Sequence, residues 1–196
     1  MPRSVARLVA VAFSLMVAAC ASLPPPPSGA TAAPIGRELS GRLSVHYHDL
    51  STDHEETTFA NFDWTERGEN VQLSLFDPLG QTVARIESNP SNSVLMLRDG
   101  RRFVGETPEA LTREALGWTL PVRGLVAWLG GRSARDGSLV VSSGPDHSRR
   151  LSEDGWTILY PDAADPPDAP RRIDLSFPGP PVAIDLRIVI DRRSGS

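Results

Sequence analysis

Apolar and polar residues alternate over most of the chain. In the segment GRLSVHY, Leu43, Val45 and Tyr47 share one face, and Arg42, Ser44 and His46 share the other. FANFDW groups Ala60, Phe62 and Trp64 against Asn61 and Asp63, and Val71, Leu73 and Leu75 repeat the pattern. SVLMLRDGRRFVGE reads as a hairpin turning at Asp99-Gly100. GSLVVSS, GWTILY, RRIDLSF and VAIDLRIVI predict four more strands. In the last of these, Val182, Ile184, Leu186, Ile188 and Ile190 lie together, opposite Asp185, Arg187 and Asp191. A period of two with one greasy and one wet face is the signature of an antiparallel sheet solvated on one side.

The period changes in the middle of the chain. Thr107-Pro108-Glu109 combines a capping hydroxyl, a proline at the first helical position and an acid near the positive end of a helix. Leu111, Ala115 and Trp118 line one stripe, with Gly117 as a stop. Pro121 opens a second short helix, in which Val122, Leu125, Val126 and Leu129 fall at i, i+3, i+4 and i+7 before Gly130-Gly131. Gly124 inside that helix costs about 1 kcal/mol relative to alanine, which predicts close approach of another element. Two helical stripes between sheet halves need an apolar partner, and the sheet needs a cover. A curved, open barrel with helices across its mouth meets both needs better than a closed barrel.

One turn stands out. Asp77-Pro78-Leu79-Gly80 suits a type I turn, with Asp, Pro and Gly at the first, second and fourth positions. Leu79 is thereby thrust outward at the tip of a hairpin.

The first residues do not belong to the fold. Arg3 and Arg7 precede a continuous apolar run, Leu8 to Ala19, of about 12 residues, short of the roughly 20 that span a bilayer. Small residues then meet Cys20, the chain's single cysteine, which has no internal disulfide partner. The expected organisation is a signal peptide at 1–19, a lipidated Cys20 with a Pro-rich tether over 20–34, and one domain over 35–193. SLPPPPSGATAAP has no apolar periodicity, and its four consecutive prolines favour an extended tether. Loss of residues 1–19 removes only Arg3 and Arg7 among the charges and takes the formal net charge from −4 to −6. An acidic domain without a basic cluster argues against nucleic acid. His46 and His48 share a strand face near His54, Glu55 and Glu56, but a metal site needs a further ligand in fixed geometry. Neither a nucleophile elbow nor a Cys/His pair is present, so neither a catalytic group nor a cofactor is expected.

Several motifs carry a resemblance. Val17-Ala18-Ala19-Cys20 resembles a bacterial lipobox, which implies a diacylglyceryl thioether and N-acylation at Cys20. Residues 59–87, the run Gly117-Trp118-Thr119-Leu120-Pro121-Val122-Arg123-Gly124-Leu125 with Trp128, and Gly155 to Tyr160 resemble the LolB family of outer-membrane lipoprotein receptors. The likeness departs at Ile190-Asp191-Arg192-Arg193, where the family often carries a tryptophan.

The resemblance implies an incomplete antiparallel β-barrel of about 10 to 11 strands, with short helices as a lid over an apolar cavity. It implies a monomer, lipid-anchored on the periplasmic side of the outer membrane. Such a protein takes triacylated lipoproteins from the periplasmic carrier LolA and delivers them to outer-membrane lipid. Candidate acyl-chain residues are Phe62, Trp64, Leu73, Leu75, Trp118, Leu125, Trp128, Trp156 and Tyr160. Leu79 is the candidate for membrane insertion and cargo release. A lipoprotein of the same fold that binds other lipids, such as glycolipids, is the alternative.

Overall fold

The computed structural model describes residues 36–135, 139–141, 148–162 and 169–195, with backbone alone at 139–141. The expected signal segment, Cys20 and the expected tether lie outside these residues. Every described element falls in the compact unit Pro34–Ser196. Among the described residues, the entire buried core falls in that unit.

Eleven strands form one sheet. They are β1 (Arg37–Asp49), β2 (His54–Arg67), β3 (Asn70–Phe76), β4 (Thr82–Ser88), β5 (Ser93–Leu97), β6 (Arg102–Gly105), β7 (Leu139–Val141), β8 (Arg149–Glu153), β9 (Trp156–Tyr160), β10 (Arg172–Phe177) and β11 (Val182–Ser194). Their order in space is β6-β5-β4-β3-β2-β1-β11-β10-β9-β8-β7. Every pairing is antiparallel, and β6 and β7 are edges that do not meet. The barrel is therefore open. The two helices, α1 (Pro108–Leu116) and α2 (Val122–Trp128), connect its two edges in the chain.

The alternation read in the sequence sorts the faces. Ala60, Phe62 and Trp64 are buried on β2, as are Ile184, Leu186, Ile188 and Ile190 on β11. The long β1–β11 pairing slips once, between Ser40 and Gly41. A side chain at Gly41 would put its Cβ 2.0 Å from the Val189 carbonyl oxygen and 3.0 Å from the Phe62 ring. Only glycine fits that bulge.

The register defines two ends. At one, here the tip end, lie the turns after β1, β3, β5, β8 and β10, which include Leu79. At the other, the base end, lie Gly36 and the turns after β2 and β4. The chain enters at the base.

Helix α1 starts as its sequence demands. Thr107 Oγ1 accepts from the Ala110 amide (3.1 Å), and Gly117 ends the helix at φ 79°. Trp118 therefore sits just past the cap rather than on the helical stripe. Gly124 is explained differently from expectation. A Cβ there would lie 2.5–2.9 Å from the Trp128 ring, so the crowding comes from the helix's own tryptophan and not from a neighbouring element.

The last strand runs straight through the position of the departure. Asp191 pairs with Arg42 at 2.9 Å, and Arg192 Nε donates to Ser40 Oγ. Arg193 turns inward and donates to the Leu129 carbonyl (3.1 and 3.2 Å) and the Pro170 carbonyl (2.9 Å). Arg37, bonded to Glu66 at 2.5 Å, also donates to the Val126 carbonyl. Two arginines at the base end thus satisfy carbonyls at the C-terminal end of α2, where a helix needs donors and favours positive charge.

Candidate functional site: an apolar cavity and an exposed leucine at one end

The helices lie against the concave face of the sheet, and between them is a cavity of about 70 Å³ with a wholly apolar lining. From β2 and β3 come Phe62, Trp64, Leu73 and Leu75. The helical segment contributes Leu116, Trp118, Leu120, Leu125 and Leu129. The opposite wall is Leu43 and Val45 of β1 with Leu186 and Ile188 of β11. One water needs about 10–15 Å³ on this measure, so the space admits a few methylene-sized groups. It does not admit a fatty-acyl chain of about 16 carbons without movement of the lid. The interior is therefore much fuller than the sequence suggests.

Six of the nine candidates line this cavity: Phe62, Trp64, Leu73, Leu75, Trp118 and Leu125. Three do not. Trp128 is fully buried below it, and its Nε1 donates to Glu153 Oε2 at 2.7 Å. The Tyr160 hydroxyl donates to the Trp128 carbonyl at 3.0 Å, beneath the Arg149 guanidinium 4.3 Å from its ring. Burial first, and then the charge of Glu153, push the Tyr160 phenol up to about 12 against the opposing pull of Arg149. These two residues anchor α2 to β8 and β9. Trp156 packs on Phe177 at 5.3 Å between centroids and faces a separate groove.

Leu116 is one of seven lining residues outside the candidate set, with Leu43, Val45, Leu120, Leu129, Leu186 and Ile188. It is 43% exposed and closes α1, so it sits where the cavity approaches solvent. Its signal was weak, because a leucine one residue before a cap glycine reads as ordinary helix. Leu186 and Ile188 were visible only as part of a strand face.

Leu79 is 85% exposed at the tip end. Its turn is held rigidly. The Gly80 amide donates to the Asp77 carbonyl (2.8 Å), and Asp77 Oδ1 accepts from the Leu79 and Gln81 amides (3.0 and 2.9 Å). Arg98 binds the other carboxylate oxygen. The Gln81 amide first, and then Arg98, hold the Asp77 carboxyl below the usual carboxylate range. The groove next to the cavity is lined by Trp118, Asp154, Pro180 and Pro181, which places the α1–α2 turn at the tip end as well.

The histidines point to other partners. His46 Nδ1 shares a hydrogen bond with Thr57 Oγ1, and His48 lies 3.0 Å from Asp53 and 3.6 Å from Glu55. Among the described residues, no group of three His, Cys, Asp or Glu side chains is placed to hold a metal ion, and no helix is long and apolar enough to cross a membrane. Cys20 lies outside the described residues.

Comparison with known proteins agrees with the architecture. The family model described as outer membrane lipoprotein LolB matches residues 37–192. The outer-membrane lipoprotein LolB of Cupriavidus pinatubonensis is 36% identical over 194 residues, covering 94% of this chain and 92% of the relative. That of Cupriavidus necator is 36% identical over 186 residues, with 92% of each chain covered. That of Chromobacterium violaceum is 32% identical over 177 residues, covering 88% of this chain and 92% of the relative. A match running from the start of β1 to near the end of β11 takes in the cavity walls, the lid and the Leu79 turn together, and the chain belongs to the outer-membrane lipoprotein LolB family.

Proposed function

We propose that this protein accepts triacylated lipoproteins from a periplasmic carrier of the LolA kind and releases their acyl chains into the inner leaflet of the outer membrane. Membership of the family makes it an outer-membrane lipoprotein that acts in lipoprotein localisation. The hand-off and the insertion step are the added reading, together with action as a monomer, lipidation at Cys20 and the absence of a catalytic step.

The observation that carries the reading is the combination, in one open sheet, of an apolar cavity under a helical lid with a rigidly held, almost fully exposed leucine. The physical task requires both. Each methylene left in water costs about 0.8 kcal/mol, so a chain of about 16 carbons costs on the order of 12 kcal/mol. Cargo must stay covered in transit, yet a cavity that is hard to open would not give it up. A small, partly open cavity fits transient holding. The lid moves to admit a chain, its apolar underside is then satisfied by hydrocarbon, and closure in the absence of cargo favours release. Transfer then needs only a gradient of affinity from carrier to receptor to bilayer.

The test mixes the Pro34–Ser196 unit with carrier loaded with an acylated lipoprotein, then adds liposomes. The expected result is loss of cargo from the carrier, a transient complex with this domain and appearance of cargo in the liposome fraction. Cargo that stays on the carrier at all domain concentrations would sink the proposal. Competition by free glycolipid but not by lipoprotein would favour the alternative ligand.

A further inference from the structure

We infer that the groove beside the cavity is the site for the polar head of the cargo, the glyceryl-cysteine junction with its first peptide groups, and that Trp118 is the partition between head and tails. This rests on the proposed function and extends it. A lipoprotein's amino terminus is an amphiphile. Its tails need a dry enclosure, but its two ester carbonyls, its amide carbonyl and the peptide beyond them are polar. Burying one such group without a partner costs roughly 2–7 kcal/mol. The wholly apolar cavity offers these groups nothing. The junction must therefore lie where that cavity meets a wetter space with donors and acceptors.

One such space exists beside the lid. A groove of about 480 Å³ runs between the α1–α2 turn on one side and the β8–β9 and β10–β11 turns on the other. Its floor includes the Trp156 and Phe177 rings, and its rim carries Arg113, Thr119 and Asp154. Arg113 Nε donates to Thr119 Oγ1 at 3.1 Å, which holds the guanidinium against the α1–α2 turn, at the rim. A guanidinium and a hydroxyl suit carbonyl acceptors, and the Asp154 carboxylate suits peptide N–H donors. Trp118, half-buried, lines both the groove and the cavity. Two other depressions, of about 550 and 750 Å³, carry His46, Asp185 and Arg187 or Asp63 and Asp191 from the wet face, so the sheet itself separates them from the tails. Rotation of one side chain, Trp118, thus joins an apolar compartment to a polar one in the order that an acylated cysteine presents them.

Two probes separate head from tail. A tripalmitoylated S-glyceryl-cysteinyl peptide has both, whereas diphenylhexatriene is hydrocarbon alone. Both are titrated by fluorescence into the Pro34–Ser196 unit and into the variants Thr119→Val and Arg113→Gln/Thr119→Val. The expected result is lipopeptide affinity about tenfold weaker in the double variant, with diphenylhexatriene affinity within about twofold of wild type. The single variant should fall between. Unchanged lipopeptide affinity in both variants, or equal weakening for both probes in either, overturns the groove assignment and leaves the acyl cavity standing. A wild-type unit that binds neither probe overturns the transport reading along with it.

Discussion

Leu79 is the most exposed large apolar side chain among the described residues, and its neighbours hold it there. Leu79→Glu leaves the turn's hydrogen bonds in place, since they use Asp77 and backbone amides. The variant should therefore strip cargo from the carrier at the wild-type rate while incorporation into liposomes falls severalfold. An unchanged incorporation rate would refute the role. Because its folded pKa is depressed, Asp77 contributes stability that is present above the ordinary value of 3.8 and lost as pH falls through the folded value. Protection factors of the Leu79 and Gln81 amides, their exchange measured against the intrinsic rate at each pH, should be constant at neutral pH and fall only below the ordinary value of 3.8. Tyr160 has the opposite sign of shift. Its phenol is raised from 10.0 to about 12, so its contribution is complete below pH 10 and is lost as pH rises through 12. Tyr160→Phe removes the bond to the Trp128 carbonyl and should cost about 1–3 kcal/mol in denaturant unfolding. Hydrocarbon binding should survive, because Tyr160 is outside the cavity wall.

At the scale of elements, the two helices are held unequally. The end of α2 is tied to the sheet by Arg37, Arg193 and Tyr160 through backbone carbonyls and by Glu153 through the Trp128 indole. The α1–α2 turn is tied mainly to the helices. The Leu120 amide donates to Thr112 Oγ1 (3.0 Å), and the Arg123 amide donates to Glu109 Oε1 (2.8 Å). The end of α2 is therefore pinned to the sheet by side-chain hydrogen bonds, whereas the α1–α2 corner, which carries Leu116 and Trp118, is bonded to the helices themselves. Gly124 belongs to the pinned part. Gly124→Ala gains about 1 kcal/mol of helix propensity but drives a methyl group into the Trp128 ring, which the bond to Glu153 holds in place. Overpacking should win, and the variant should lose about 1–2 kcal/mol of stability. A gain in stability would mean that the ring can yield. Helix limits, caps and stripes were legible in Thr107, Pro108, Gly117 and Pro121, because capping is local chemistry. The source of the crowding at Gly124 was not, since glycine in a helix records only that space is short.

At the scale of the whole molecule, the chain enters at the base end while Leu79 lies at the tip end. By register Phe76, the last residue of β3, pairs with Asn61 and Asn61 with Arg42, so the Leu79 turn begins about six residues, or about 20 Å, along β1 from its start at about 3.3 Å per residue. The 16 residue-to-residue steps from Cys20 to Gly36 reach at most about 53–58 Å when fully extended. A lipid anchor at Cys20 and the Leu79 tip can therefore engage the same bilayer only if the tether runs back along the barrel, and its full length suffices for that. Removing residues 24–34 leaves too little chain. Anchored protein lacking them should fail to deliver cargo to its own membrane, while the same deletion in the unanchored domain has no effect. A Gly/Ser replacement of equal length should restore delivery, and equal delivery by the shortened anchored form would refute the argument.

Alternation at Phe62-Asp63-Trp64, caps at Thr107 and Gly117 and the turn at Asp77–Gly80 determined the strands, the helices and the outward leucine, because each depends on neighbours within a few residues. The same patterns marked the large apolar side chains but could not divide them between wall and core. Trp118 and Trp128 read alike in the sequence, yet one partitions two cavities and the other is buried against Glu153. That division depends on how the α1–α2 corner packs across β1–β3 and β11, residues up to about 80 positions away along the chain. The tertiary structure alone decided how small the cavity is, since its volume is the difference between the reach of the sheet's curve and the side chains that fill it.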